Sequence, residues 1–93
     1  MIRSFKCKES EKLFQRYQSK KFPAEIQRTA LRKLRMLNRA QTLNDLKVPP
    51  GNRFEKLHGN REGQMSIRIN DQWRICFRWE DRDCYDVEIV DNH

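Results

Sequence analysis

The stretch Met65-Ser66-Ile67-Arg68-Ile69-Asn70-Asp71-Gln72-Trp73-Arg74-Ile75-Cys76-Phe77-Arg78-Trp79 alternates apolar and polar side chains on both sides of a polar interruption. That period of two predicts two half-buried strands. Their register follows from keeping every apolar side chain on one face. A two-residue turn at Asn70 and Asp71 would set Ile67 beside Arg74 and mix the faces. A three-residue loop, Asn70 to Gln72, instead pairs Ile69 with Trp73, Ile67 with Ile75 and Met65 with Phe77, and brings Arg68 opposite Arg74. A third run alternates Tyr85, Val87 and Ile89 with Asp86, Glu88 and Val90. A similar loop at Asp81 to Asp83 would pair Trp79 with Tyr85, Phe77 with Val87 and Ile75 with Ile89, setting Arg78 across from Asp86. The result is an antiparallel meander with one buried face, and Gly59 to Gly63 supplies a further turn.

Upstream of the meander the period lengthens to 3.6. Leu13, Phe14 and Tyr17 share one stripe of a short helix over 9–18, with Ser10 or Glu9 available to its first amides. Pro23 suits the first turn of a longer helix ending near Ala40, in which Ile26, Ala30, Leu34 and Leu37 face inward. Arg28, Arg32, Lys33, Arg35 and Arg39 are expected on its outer side. Ile2 to Lys6 reads as a short strand, with Ile2 and Ser4 facing opposite Arg3 and Phe5. From Leu43 to Asn52, the residues Asn44, Asp45, Pro49, Pro50 and Gly51 predict a surface loop. No repeat or linker divides the 93 residues, so the expectation is a single α+β domain over 1–93.

Hydrophobic residues make up 37% and charged residues 35%, enough for one lean core under a charged surface. Residues 1–47 hold 13 Lys+Arg against 4 Asp+Glu, and residues 48–93 hold 7 against 9, so the positive charge lies in the helical half. With a pI near 9.7, such a field draws in polyanions, and a nucleic acid is favoured over a merely solvated face. Cys7, Cys76 and Cys84 form no disulfide pattern, which points to a reducing, cytoplasmic setting. The spacing of Cys76, Cys84 and His93 fits no compact zinc site, so no metal and no cofactor are expected. No stretch has the length and apolarity of a membrane span or a signal peptide, and no membrane partner is expected.

Arg68 opposite Arg74 breaks the rule against like charges facing across strands. Such conflicts gather at functional sites, and two guanidinium forks side by side suit a phosphate; alternatively both splay outward or pair with Glu62 or Glu88. Arg78, facing Asp86, reads as an ordinary ion pair. His58, before the glycine turn, and His93, after the last strand, are candidate general acids or bases. Asp91 is placed to orient His93.

The block Pro49-Pro50-Gly51-Asn52-Arg53-Phe54-Glu55-Lys56-Leu57, the segments Gly59 to Gln64 and Ser66 to Phe77, and the ending Val87-Glu88-Ile89-Val90-Asp91 resemble the HigB toxins of the RelE-like superfamily. The likeness runs from Ile2 to His93. It implies a RelE-like fold, with two N-terminal helices packed on one face of a twisted antiparallel sheet and a short N-terminal strand. It further implies a toxin of a type II toxin–antitoxin system that cleaves mRNA on the ribosome without a metal and so inhibits translation. The implied partners are a HigA-type helix-turn-helix antitoxin, the ribosome and mRNA, with operator DNA reached only through the antitoxin. Carried onto this chain, the catalytic group is Arg68, Arg74, His58, His93 and Asp91, and RNA-binding positions are Arg53, Lys56, Arg61 and Asn92. Two positions depart from the family pattern. Asn92 stands where the family ending Asp-Tyr-His has an aromatic, and Glu55 stands where some relatives have His. The alternatives are a toxin that occludes the ribosome or acts as an antitoxin co-repressor without cutting, and a module whose basic helices serve only an acidic antitoxin.

Overall fold

A computed structural model describes residues 1–91, so Asn92 and His93 lie outside the described residues. Helices α1 (Lys8–Phe14), α2 (Ala24–Arg39) and α3 (Asn44–Lys47) are followed by strands β1 (Glu55–Lys56), β2 (Met65–Arg68), β3 (Trp73–Glu80) and β4 (Asp83–Asp91). The strands form one antiparallel sheet in the order β1-β2-β3-β4. The core joins Ile26, Ala30, Leu34 and Leu37 of α2 to Ile67, Ile75, Phe77, Val87 and Ile89 of the sheet. Phe22 meets Trp73 edge-on, with ring centroids 5.6 Å apart, at one end of that interface.

The first hairpin has the register expected from its apolar pattern: Met65 pairs with Phe77, Ile67 with Ile75 and Arg68 with Arg74. Asn70 secures the loop, its Oδ1 accepting the amides of Gln72 at 2.9 Å and Trp73 at 2.8 Å. An Asn at this position mimics a backbone turn and gives both amides a partner.

The second hairpin corrects the expectation. Glu80 pairs with Asp83, Trp79 with Cys84 and Arg78 with Tyr85, so the turn is the two residues Asp81 and Arg82, both at positive φ (50° and 68°). This geometry matches the twist of paired strands, which favours it in tight hairpins. A bulge then takes up one residue of β4, with Asp86 at φ 54°, and restores the expected pairing of Ile75 with Ile89. Cys84, not Tyr85, therefore turns into the core.

The N-terminal segment docks parallel to β4 through two isolated bridges, Ile2 with Cys84 and Phe5 with Val87, and not as a continuous strand. The bulge explains the break, because the Asp86 amide is turned to the Ser4 hydroxyl at 2.8 Å. Ile2 and Phe5 both pack on the core, against the simple alternation.

Other elements also differ. Helix α1 stops at Phe14, leaving Tyr17 63% exposed instead of on the inner stripe. Cys7 is its N-cap; Ser10 is buried, and its hydroxyl accepts the Ile89 amide at 3.0 Å, tying α1 to β4. Pro23 caps α2 from outside its first turn. The expected loop over 43–52 holds α3 and a 3₁₀ turn, Pro50–Asn52, and buries Leu46 and Asn52. Asp45 makes the short helix possible, its carboxylate accepting the amides of Gln41 and Thr42 at 2.8 and 3.1 Å. No described helix is long and apolar enough to cross a membrane.

Candidate functional site

The polar side of the first hairpin brings Arg68 and Arg74 together, as their register requires, but gives them different surroundings. Arg68 is partly exposed and pairs through Nη2 with Asp71, whose side chain is almost wholly in solvent. An exposed pair of this kind contributes little and exchanges readily for another anion. Arg74 is only 8% exposed. Its Nε donates to Ser66 Oγ at 2.8 Å and its Nη2 to the Arg53 carbonyl at 2.7 Å. Glu55 Oε1 stands 3.4 Å from the same Nη2. The pairing with Glu62 or Glu88 that the sequence left as an alternative is thus corrected: Arg68 pairs with Asp71 and Arg74 with Glu55.

Three residues that sequence reasoning did not assign build this seat. Ser66, buried on β2, directs the Arg74 Nε. Glu55 lies opposite Ser66 on β1 and so shares the face of Arg74. Asn52, 1% exposed, ends the 3₁₀ turn that delivers Arg53 in a left-handed conformation, φ 43° and ψ 54°. The signal for a fourth was present: Ile26, Ala30, Lys33 and Leu37 follow helical i, i+4, i+7 spacing. Lys33, expected outside, is in fact buried on that stripe and bonds to Asn52.

The other sequence-predicted residues are spread more widely. His58 is well exposed at the start of the 3₁₀ turn Gly59–Arg61, with Nδ1 3.4 Å from Glu62 Oε2; its contact is with that carboxylate and not with either arginine. Arg61 donates to Glu88 Oε1 at 2.8 Å and to Gln64 Oε1 at 3.0 Å, and the Glu88 carboxylate raises its pKa. Lys56 pairs with Met65, which puts it on the opposite side of the sheet from Glu55 and Arg74. Arg53 keeps an exposed side chain while its carbonyl serves Arg74. Asp91 closes β4 opposite Trp73, and its Oδ2 accepts from Gln72 Nε2 at 2.9 Å. Asn92 and His93, and with them the proposed Asp91–His93 contact, fall outside the described residues.

Arg78 behaves as its sequence suggested. Its Nε donates to Asp86 Oδ2 at 2.9 Å, and that bond moves its pKa upward against a smaller downward pull from desolvation. The three thiols are free, with burial pushing Cys84 up to about 12 and Cys76 upward as well. Among the described residues no three side chains of metal-ligating type come together.

A separate feature lies on the helices. Arg16, Arg28, Arg32, Arg35 and Arg39 rim a cleft of about 900 Å³ whose apolar walls include Leu13, Phe22 and Leu31. Among the described residues no acidic side chain lines it. Part of the positive charge expected from the sequence therefore gathers on one face.

Comparison with known proteins adds four findings. Residues 3–93 match the family described as the RelE-like toxin of the type II toxin-antitoxin system HigB. The Vibrio cholerae protein "Toxin HigB-1" is 51% identical over 59 residues, covering 63% of this chain and 62% of that protein's length. The Proteus vulgaris protein "Endoribonuclease HigB" is 31% identical over 96 residues, covering 100% of both chains. A crystal structure of YafQ from E. coli superposes with a TM-score of 0.65 at 13% identity, covering 99% of this chain and 92% of that one, a likeness of fold.

Proposed function

This chain belongs to the RelE-like HigB toxins of type II toxin–antitoxin systems, and from that membership we propose that it is an mRNA endoribonuclease acting on the ribosome and inhibiting translation. The single observation that supports it is the Arg68–Arg74 pair, one guanidinium locked and its neighbour held, among the described residues, by an exposed carboxylate. Arg74 supplies a preset positive charge, and Arg68 exchanges Asp71 for a phosphate oxygen. In the proposed reaction the ribose 2′-oxygen bonds to the adjacent phosphorus, and the bond to the 5′-oxygen breaks. The 2′-hydroxyl proton passes to a base, and the departing 5′-oxygen takes a proton from an acid. The arginines meet the extra charge on phosphorus, where a preplaced donor is worth roughly 3–4 kcal/mol. His58 and His93 are the candidate proton carriers, with Asp91 orienting His93. Arg53, Lys56, Arg61 and Asn92 are the candidate RNA contacts. Lys56 and Arg61 would have to turn from the positions described, Arg61 by leaving Glu88.

The basic helical cleft suits the first approach to a polyanion. A HigA-type antitoxin, the ribosome and mRNA are the proposed partners, operator DNA is reached through the antitoxin, and the cytoplasm is the proposed compartment. A second reading, occlusion of the ribosome without cutting, is favoured by Glu55, whose carboxylate lies where phosphate would approach Arg74. Mapping of mRNA 5′ ends in a purified translating system separates the two. New ends within codons that require ribosomes are expected. Ribosome binding with no new ends at stoichiometric protein would replace cleavage with occlusion, and Asn92→Tyr would then test whether the missing aromatic is the cause.

A further inference from the structure

A lysine inside helix α2 reaches the arginine site through three links. Lys33 is 5% exposed, and its Nζ donates to Asn52 Oδ1 at 2.5 Å. The other end of that amide is also engaged, since Asn52 Nδ2 donates to the Leu46 carbonyl at 3.1 Å and touches Met36 Sδ at 3.1 Å. With its side chain held at both ends, Asn52 sets the direction in which the chain leaves the 3₁₀ turn. The next residue, Arg53, is left-handed, a conformation that a long side chain adopts only when its surroundings impose it. That conformation delivers the carbonyl that accepts Arg74 Nη2 at 2.7 Å.

We propose that Lys33 is a positioning residue: acting through Asn52, it holds Arg53 left-handed and so determines where the Arg74 guanidinium stands. The proposal rests on the reading of Arg74 as a phosphate-holding residue. Its physical basis is that Lys33 is a poor choice for the core alone. No carboxylate among the described residues pairs with it. Burial, with Arg32 and Arg68 nearby, pulls its pKa below the usual lysine range. A leucine or methionine on this stripe would fill the helix–sheet interface without burying a charge. A charge kept against that preference, with its ammonium hydrogen bond aimed at the residue preceding Arg53, is accounted for by the link to the site.

Lys33→Met keeps the apolar stem and removes the donor. Two readings follow in the intact protein. By NMR, the Arg74 Nε–H, which donates to Ser66, is expected to shift and to exchange faster with water. In the translating system, kcat is expected to fall about 10- to 100-fold with KM for ribosomes nearly unchanged, the result of a displaced catalytic group. Adding Lys33→Met to Arg74→Ala is expected to cost nothing further, because both changes act on one interaction. An unmoved Arg74 signal, or additive losses in the double variant, would overturn the proposal. If the wild-type protein binds ribosomes without cutting, the cleavage reading fails, and the NMR measurement alone decides the positioning. Asn52→Ala repeats the test one link closer. Unfolding of both variants would also overturn the proposal, by showing that the link holds the fold and not the site.

Discussion

Hairpins β2–β3 and β3–β4 share a strand and the same apolar-polar alternation, yet a three-residue loop closes the first and a two-residue turn the second. In the first, the loop keeps a simple register and sets two arginines against each other. In the second, the tight turn shifts the register and a bulge at Asp86 shifts it back. The same bulge leaves Asp86 within reach of Arg78 although Arg78 is paired with Tyr85. One hairpin thus concentrates positive charge and the other neutralises it. Regular pairing preserves a conflict that the strands alone would avoid, while a local irregularity resolves one.

The contrast is sharpest in activity. Arg68→Ala is expected to lower cleavage in a translating system by about 10²- to 10³-fold, the usual effect of losing a donor to developing charge. Arg78→Ala, in the neutralised hairpin, is expected to leave cleavage unchanged. Equal losses from the two substitutions would erase the distinction between the hairpins.

Stability tests the bulge. Asp86 sits at φ 54°, so Asp86→Val, which places a β-branched residue in the left-handed region, is expected to cost about 1–2 kcal/mol in denaturant unfolding. Asp86→Gly is expected to recover most of that loss. If valine were tolerated as well as glycine, β4 would be unbulged in solution.

The smallest effect is chemical. A regular register would turn Cys84 outward and Tyr85 inward, whereas the bulged one buries Cys84 and pushes its thiol up to about 12. For Cys7, burial acts to raise the pKa but is outweighed by hydrogen bonds from Ser10 and Glu9 and by the Lys21 ammonium, which bring it below the ordinary thiol value. Alkylation at pH 8, followed by mass spectrometry, is expected to label Cys7 first and Cys84 only after unfolding, because the thiolate is the reactive form. Labelling of folded Cys84 as fast as Cys7 would contradict the bulged pairing.

Much of the fold was legible because it depends on periodicity. Ile67 against Ile75 and Arg68 against Arg74 follow from keeping one face apolar. Ile26, Ala30, Leu34 and Leu37 likewise mark the buried side of α2. The misreadings share a physical cause. Tyr17, Cys84 and Tyr85 were misplaced because a helix end, a tight turn and a bulge each shift the phase of a pattern by one or two residues. Lys33 was misplaced because residue type was weighed above its helical position.

Taken alone, the sequence determined the meander, the inner face of the long helix, the facing of Arg68 and Arg74, and the positive charge of the helical half. Each of these depends on the spacing of side chains along one local element. Only the tertiary structure decided that Arg74 is locked while Arg68 is open. That difference comes from Ser66, Glu55, the Arg53 carbonyl and the Lys33–Asn52 link, contributed by segments far apart in the chain, and no local spacing records which of them meet.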